Sequence, residues 1–287
     1  MLSSMKRVSA FATLFSLTLC GVMPVAALAQ QSSSTSVTST TTMDLGSLPR
    51  APQVWDISLG GGVGLRPTYQ GSNRYETAPV LFVNVTYRDM ISLGAGGLSA
   101  YWHNDDLKIG VGLTKDGGRR DYRTNGLFET GDDRLRGLGD INSAVGIRGF
   151  ATYRLGFIVL DGAVTKLTNH FDNHGLFANA GVAAPQKLSD RFIVTPHIIT
   201  TWADRNYTQT YFGVTPVQAA DSAFPEFNAG AGFMNVAAGV SGAYLVNPHW
   251  FVRASADVTR LTGDAGNSPI TFSNTNGLVS LITGYRF

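Results

Sequence analysis

The chain has 287 residues, 33 of them glycine, with 10% aromatic and 15% charged residues and a formal net charge of +2. That charge is too small to argue for nucleic acid as a partner. Beyond the first 29 residues there is no run of about eighteen apolar residues, so no transmembrane helix is predicted, although barrel strands are short and amphipathic and leave only a weak hydropathy trace.

Residues 1–29 have the layout of a secretory signal. Lys6 and Arg7 form a basic start, an apolar run follows to about Val25, and Ala27-Leu28-Ala29 gives the small-x-small cleavage pattern before Gln30. Cys20 is the sole cysteine, and Gly21 follows it as in a lipoprotein signal. Leu19, however, stands where such a signal wants a small residue. Cleavage after Ala29 leaves a mature chain without cysteine and therefore without a disulfide framework. Residues 30–52 form a tail, almost wholly serine and threonine from Gln31 to Thr42, that cannot bury a core and is expected to be disordered in the periplasm.

From about Val54 the period-two pattern of half-buried strands recurs to the C-terminus, so residues 53–287 read as one β-domain. Trp55, Ile57, Leu59 and Val63 make the first apolar face, with Asp56 and glycines opposite. Leu81, Val83, Val85 and Tyr87 follow, and then Ile109, Val111 and Leu113 against Lys108 and Thr114. Val145, Ile147 and Tyr153 oppose Arg148 and Arg154; Ile158, Leu160 and Val164 oppose Asp161 and Thr165. Val194, Ile198 and Trp202 oppose Thr195, His197 and Thr201, with Pro196 demanding a bulge or a missing ladder bond. Val252, Ala254, Ala256 and Val258 oppose Arg253, Ser255 and Asp257. The last strand, residues 277–287, sets Val279, Leu281, Tyr285 and Phe287 on one face and is expected to pair with the first, leaving no edge in lipid.

Alternation alone does not say which face is outside; a soluble β-sandwich or barrel has the same period. Three features favour a membrane barrel with a polar lumen. Aromatics stand at strand ends (Trp55, Tyr87, Tyr101, Trp102, Tyr153, Trp202, Tyr244, Trp250), the opposite faces are small or charged, and short connections alternate with long ones. The short ones fall near Arg88-Asp89, Arg154 to Gly156, Pro185 to Asp190 and Asn247 to His249. The fold class is therefore all-β: a transmembrane antiparallel up-and-down β-barrel of about twelve strands, with ten as the alternative. The count of twelve requires the glycine-rich residues 91–104 to hold two strands. Asp56, Arg88, Lys108, Arg148, Arg154, Asp161, Arg253 and Asp257 are expected to point into the lumen, where opposite charges would pair or set ion selectivity.

The loops carry a further pattern. Pro67-x-Tyr69-x-Gly71-Ser72 follows the first strand. Gly137-x-Gly139-Asp140 leads to Ile141, where the strand after the longest loop is expected to open. Tyr211-Phe212-Gly213 stands in the loop after Trp202, and Gly263-Asp264 and Ser268-Pro269 precede the last strand. Together these resemble the MltA-interacting protein (MipA/OmpV) family of outer-membrane proteins over residues 55–287. The resemblance implies the outer membrane of a Gram-negative bacterium. It also implies a scaffold that joins a lytic transglycosylase to a penicillin-binding protein, with a small porin-like channel or a surface adhesin as alternatives. Tyr285 and Phe287 resemble the C-terminal signal read by the barrel-assembly machinery, and outer-membrane lipid is the surrounding partner.

No catalytic, metal or cofactor constellation emerges. Each motif loop also reads as turn chemistry, with Asp264 expected to bond nearby backbone amides. His170-x-Asp172-x-His174 has metal-ligand residue types but no helix to hold them, and reads as a solvated loop. The pairs Asp105-Asp106 and Asp132-Asp133 suit solvated loop acids better than protease carboxylates. His197 is the histidine that projects from mid-strand, but no serine stands beside it within the strand for a dyad. The expected protein is non-enzymatic and without cofactor.

Overall fold

In the computed structural model the described residues are 54–123, 131–168 and 174–287. The signal, its cleavage point and the serine/threonine tail lie outside them, as do His170 and Asp172. Contacts divide the chain into Met1–Gln30 and Gln31–Phe287, and all described residues belong to the second unit.

The strands are β1 (Trp55–Pro67), β2 (Tyr75–Tyr87), β3 (Ile91–Gly94), β4 (Gly97–His103), β5 (Leu107–Asp116), β6 (Ala144–Leu155), β7 (Ile158–Thr168), β8 (His174–Ala183), β9 (Gln186–Ser189), β10 (Phe192–Ala203), β11 (Gly232–Leu245), β12 (Trp250–Leu261) and β13 (Thr275–Arg286). β1 to β8 pair antiparallel in chain order, β10 pairs with β8, β9 and β11, β11 to β13 pair in order, and β13 returns to β1, so the sheet closes. β8 and β9 lie along the same edge of β10, where Ile199 faces Gly181 and Val194 faces Gln186. They are one strand broken at Ala184-Pro185, and the thirteen segments make a barrel of twelve strands. The break lies across from Pro196, whose carbonyl accepts from the Ala184 amide at 3.0 Å. Two prolines that cannot donate thus share one gap in the ladder. Residues 185–190 were expected to be a short connection. Instead, Gln186–Ser189 continues the strand and the turn falls at Asp190-Arg191.

Residues 91–103 hold two strands, as the count of twelve requires. β3 stops after four residues because Gly94-Ala95-Gly96-Gly97 turns at once. Gly97 has φ 92°, and a β-carbon there would collide with the Leu113 carbonyl. Glycine alone fits such a corner.

The faces are inverted relative to a soluble barrel. Leu59, Val63, Leu81, Val111, Ile147, Val164, Ile198, Val258 and Leu281 point outwards and are exposed, while the alternate positions hold Ser58, Thr165, Thr195, His197 and Arg286, all buried inside. An apolar outer band around a polar interior is the polarity of a membrane barrel. At the rim of short turns the aromatics cluster: Trp55 lies 4.6 Å from Tyr87, Trp250 lies 5.3 Å from Tyr285, and Tyr285 lies 4.9 Å from Phe287. Tyr101 departs from that set. It sits one residue out of step with Trp102, turns inwards, and donates to Asp89 at 2.8 Å.

The seam pairs Leu59 with Tyr285 and Leu65 with Val279, and the Phe287 amide donates to the Ile57 carbonyl. Glycine permits the approach: a β-carbon at Gly62 would collide with the Leu281 carbonyl and one at Gly60 would stand 2.6 Å from the Thr283 carbonyl.

Candidate functional site: the capped lumen

Among the described residues, four long connections gather at the mouth opposite the short turns: residues 68–74, residues 117–123 with 131–143, residues 204–231 and residues 262–274. The third carries helices α1 (Arg205–Phe212) and α2 (Pro216–Asp221), and the fourth carries α3 (Gly263–Asn267). Each longer helix has a sequence-coded start. Asp204 caps α1 by accepting from the Tyr207 amide, and Thr215 with Gln218 makes a reciprocal capping box before Pro216.

The cap is layered. In the lower layer Tyr207, Tyr211 and Phe212 of α1 pack on Ala144, Leu167, Ala203, Met234 and Leu261, which are barrel residues. Both tyrosine hydroxyls donate to Asp116 at the top of β5. Arg119 donates to the Tyr211 carbonyl at 2.7 Å, and burial lowers its guanidinium from the ordinary value. In the upper layer Tyr69, Leu135, Leu138, Val214 and Ile270, drawn from all four connections, form a second core. Burial raises the Tyr69 phenol, whose hydroxyl donates to the Ile270 carbonyl at 2.9 Å.

The motif residues, scattered through the sequence, meet in this cap. Gly71, at φ 95°, accepts on its carbonyl from the Phe272 and Ser273 amides, and its own amide donates to Asn276. Asn276 in turn donates to the Ser72 carbonyl at 2.6 Å. Ser72 and Thr68 also bond Asp132, which accepts from Arg134 at 2.6 Å and from Arg74 at 3.3 Å. Burial acts to raise the Asp132 carboxyl, but hydrogen bonds from Arg134 and Thr68 hold it below the ordinary value. Gly137 has φ 94°, and a β-carbon there would collide with the Asp221 carbonyl. Ser268 donates to the Phe212 carbonyl at 2.5 Å. Pro67 ends β1, Gly213 ends α1, and Pro269 stands between Ser268 and the buried Ile270.

Three sequence expectations are corrected here. Residues 137–141 do not open a strand. Asp140 instead pairs with Arg120 at 2.5 Å, Ile141 bridges to Arg119, and β6 starts only at Ala144. Gly139, at φ 77°, keeps the segment from extending. Asp264 does not bond its own turn but accepts from the Gly230 amide at 2.7 Å. Asp132 is no solvated loop acid either, since it lies buried among these donors.

Below the cap, the charges predicted for the lumen separate. Asp56 pairs with Arg286 at 2.6 Å and Asp257 with His197 at 2.7 Å. Arg148 lies over Phe150 and Arg253 over Phe82, each 5.3 Å from the ring centre, and Lys108 lies 4.4 Å from that of Tyr101. Asp161 rests against Gly181, where only glycine leaves room. Arg154 is exposed at the rim. Arg88 leaves the pattern: it sits in the turn after β2 with φ 49° and is exposed, because the strand ends at Tyr87. Toward the rim of short turns, Ile193, Ala243, Leu245 and Phe251 form an apolar plug with Phe82 against it. The His197 ring is engaged by Asp257 and, at 3.4 Å, by the Thr195 carbonyl. Sequence reasoning missed Asp116, Arg119, Asn276 and the Arg66–Glu76 pair at 2.9 Å. Only the last had a local signal, opposite charges facing across a hairpin. Among the described residues no cluster could hold a metal ion.

The family model described as MltA-interacting protein MipA matches residues 59–287. The MltA-interacting proteins of Escherichia coli K12 and Shigella flexneri are each 24% identical over 242 residues, covering 80% of this chain and 90% of theirs. Among solved structures, an outer-membrane channel of Pseudomonas putida F1 aligns with TM-score 0.43 at 12% identity, over 84% of this chain and 98% of its own. An anion-selective porin of Comamonas acidovorans aligns with TM-score 0.39 at 7% identity, over 81% and 98%. An apolar-banded closed barrel with one rim of short turns is an outer-membrane architecture, and its place is the outer membrane of a Gram-negative bacterium. The chain belongs to the MltA-interacting protein (MipA) family.

Proposed function

We propose that this barrel is a non-enzymatic scaffold that holds murein-remodelling enzymes at the inner face of the outer membrane. The observation that carries it is the family match over residues 59–287, together with relatives named for interaction with MltA. The partner classes are a lytic transglycosylase and a penicillin-binding protein. The geometry supports this reading in two ways. Four connections fill one mouth with two hydrophobic layers, which argues against a general pore. The rim of short turns presents apolar knobs, with Phe157 68% and Leu188 64% exposed, that a partner could bury.

Co-purification of the full-length protein from native membranes tests the reading. A lytic transglycosylase and a penicillin-binding protein are expected in the eluate, and less of both from a Phe157→Asp, Leu188→Asp variant. Repeated absence of both enzymes from wild-type eluates would overturn the scaffold.

A further inference from the structure

In the half of the barrel wall next to the long connections, three charged strand residues among the described ones face the lipid, and all three are cations. Lys115 of β5 shares the outer face with Val111 and Leu113, Lys166 of β7 shares it with Val164, and Arg260 of β12 shares it with Val258. Counting along the ladders places them beside an aromatic belt. Val164 pairs with Ala178, Ala178 with Trp202, and Trp202 with Phe233. Trp202 and Phe233 are the outward aromatics at the loop-side ends of β10 and β11, and such rings mark the membrane interface. Lys166 stands two residues beyond Val164, on the loop side of that row, where its stem can carry the ammonium to headgroup level.

Two of the cations flank one strand. Lys115 pairs with Val145 and Lys166 with Ile147, so they stand on either side of β6, two residues apart along it. Two strand spacings and two residues of rise set their α-carbons about 12 Å apart. Flexible four-carbon stems can bring both ammoniums to one anion. Phosphate oxygens accept charge-assisted hydrogen bonds from such groups. Below the pair the wall is hollowed. Gly149 lies between the exposed Val111 and Val164, and a β-carbon there would meet nothing within 4 Å. One rung lower, Ala151 and Gly162 continue the floor beside the exposed Ile109. A trough walled by valines and floored by glycine and alanine takes an acyl chain, and the cations above it take the phosphate of the headgroup. The long connections face the exterior, where the outer leaflet of a Gram-negative outer membrane is phosphorylated glycolipid.

We propose that the outer face of β5, β6 and β7 is a seat for one phosphorylated, multiply acylated glycolipid of the outer leaflet. Lys115 and Lys166 clasp its phosphate, and one of its chains lies along Gly149 and Gly162.

The test is native mass spectrometry of the full-length barrel released from detergent and offered diphosphoryl lipid A, with heat-modifiable migration as the check on folding. One retained lipid per barrel is expected. Lys115→Gln combined with Lys166→Gln should cut the retained fraction at least fivefold. Arg260→Gln, which removes a cation on the opposite side of the barrel, should leave it unchanged. Gly149→Phe, which fills the trough and keeps both lysines, should cut it severalfold. Lipid A stripped of its phosphates should be held by the wild type no better than diphosphoryl lipid A is by the double lysine variant. No retained lipid in the wild type, unaltered retention by the folded double lysine variant or by folded Gly149→Phe, or an equal loss in Arg260→Gln would overturn the seat. Equal retention of phosphatidylglycerol would overturn it too, because any anionic lipid would then serve.

Discussion

Asp132 shows how one side chain ties the cap. It is buried, it accepts from Thr68, Arg134 and Arg74, and it sits beside Ser72, so it joins the first connection to the second. Removing one member of such a buried charged set costs on the order of 3 kcal/mol. Asp132→Ala should open residues 68–74 and 131–136 to protease while the barrel still migrates as a folded species. Its folded-state carboxyl is held below its unfolded value, so its contribution is full above the unfolded pKa of about 3.9 and fades as pH falls through the lower folded value. Protease cleavage of the wild-type cap should therefore rise only in strong acid, and the Asp132→Ala cap should lack that step. At this scale the sequence was half legible. The turn-forming role of Gly71 follows from glycine's freedom at positive φ, but its partner Asn276 stands 205 positions away and no local spacing announces it. Asp264 misled for the same reason: a glycine-aspartate pair signals a turn, yet tertiary placement gave its carboxylate to Gly230.

At the scale of elements the seam between β1 and β13 is the most exacting join. β1 offers Gly60, Gly62 and Gly64 to the lumen, and the first two leave no room for a β-carbon against β13. Gly62→Val should block closure, leaving little heat-modifiable barrel and abundant degraded chain in whole-cell blots. Phe287 caps the same seam by donating to Ile57. Its deletion should lower the amount of assembled barrel without altering the register of what does assemble, which cysteine cross-linking of Leu59 to Tyr285 would read. Most strands were legible because lipid outside and water inside impose a strict period of two. The doubled strand within residues 91–103 was legible from its glycines. What was not legible was how low that hairpin would stand, since hairpin height depends on where β5 meets it and not on any residue within it. The break at Pro185 also escaped, because a proline at a strand end and a proline at a bulge look alike until the neighbour, here Pro196, is known.

Over the whole molecule, a membrane barrel ordinarily exposes a passage, and this one fills its own from both ends. Tyr207, Tyr211 and Phe212 close one end and Phe251 narrows the other. In planar bilayers the wild type should show little conductance. Deleting residues 205–230 and adding Phe251→Ala should give steady openings, whereas either change alone should give much less. A wild type as conductive as the double variant would show that the two plugs do not obstruct ions. The cap also sets an order in time. Its ties join Thr68 to Asp132 and Tyr69 to Ile270, pairs separated by 64 and 201 positions, and contacts this distant form slowly unless something first brings their chains together. The closed sheet is that something, since only a finished cylinder holds all four connections at one rim. Refolding into lipid should then be seen in two stages, with sheet signal and heat-modifiability gained first and protease resistance of the rim arriving later. Between them stands a transient open tube, the only moment at which this protein resembles a channel.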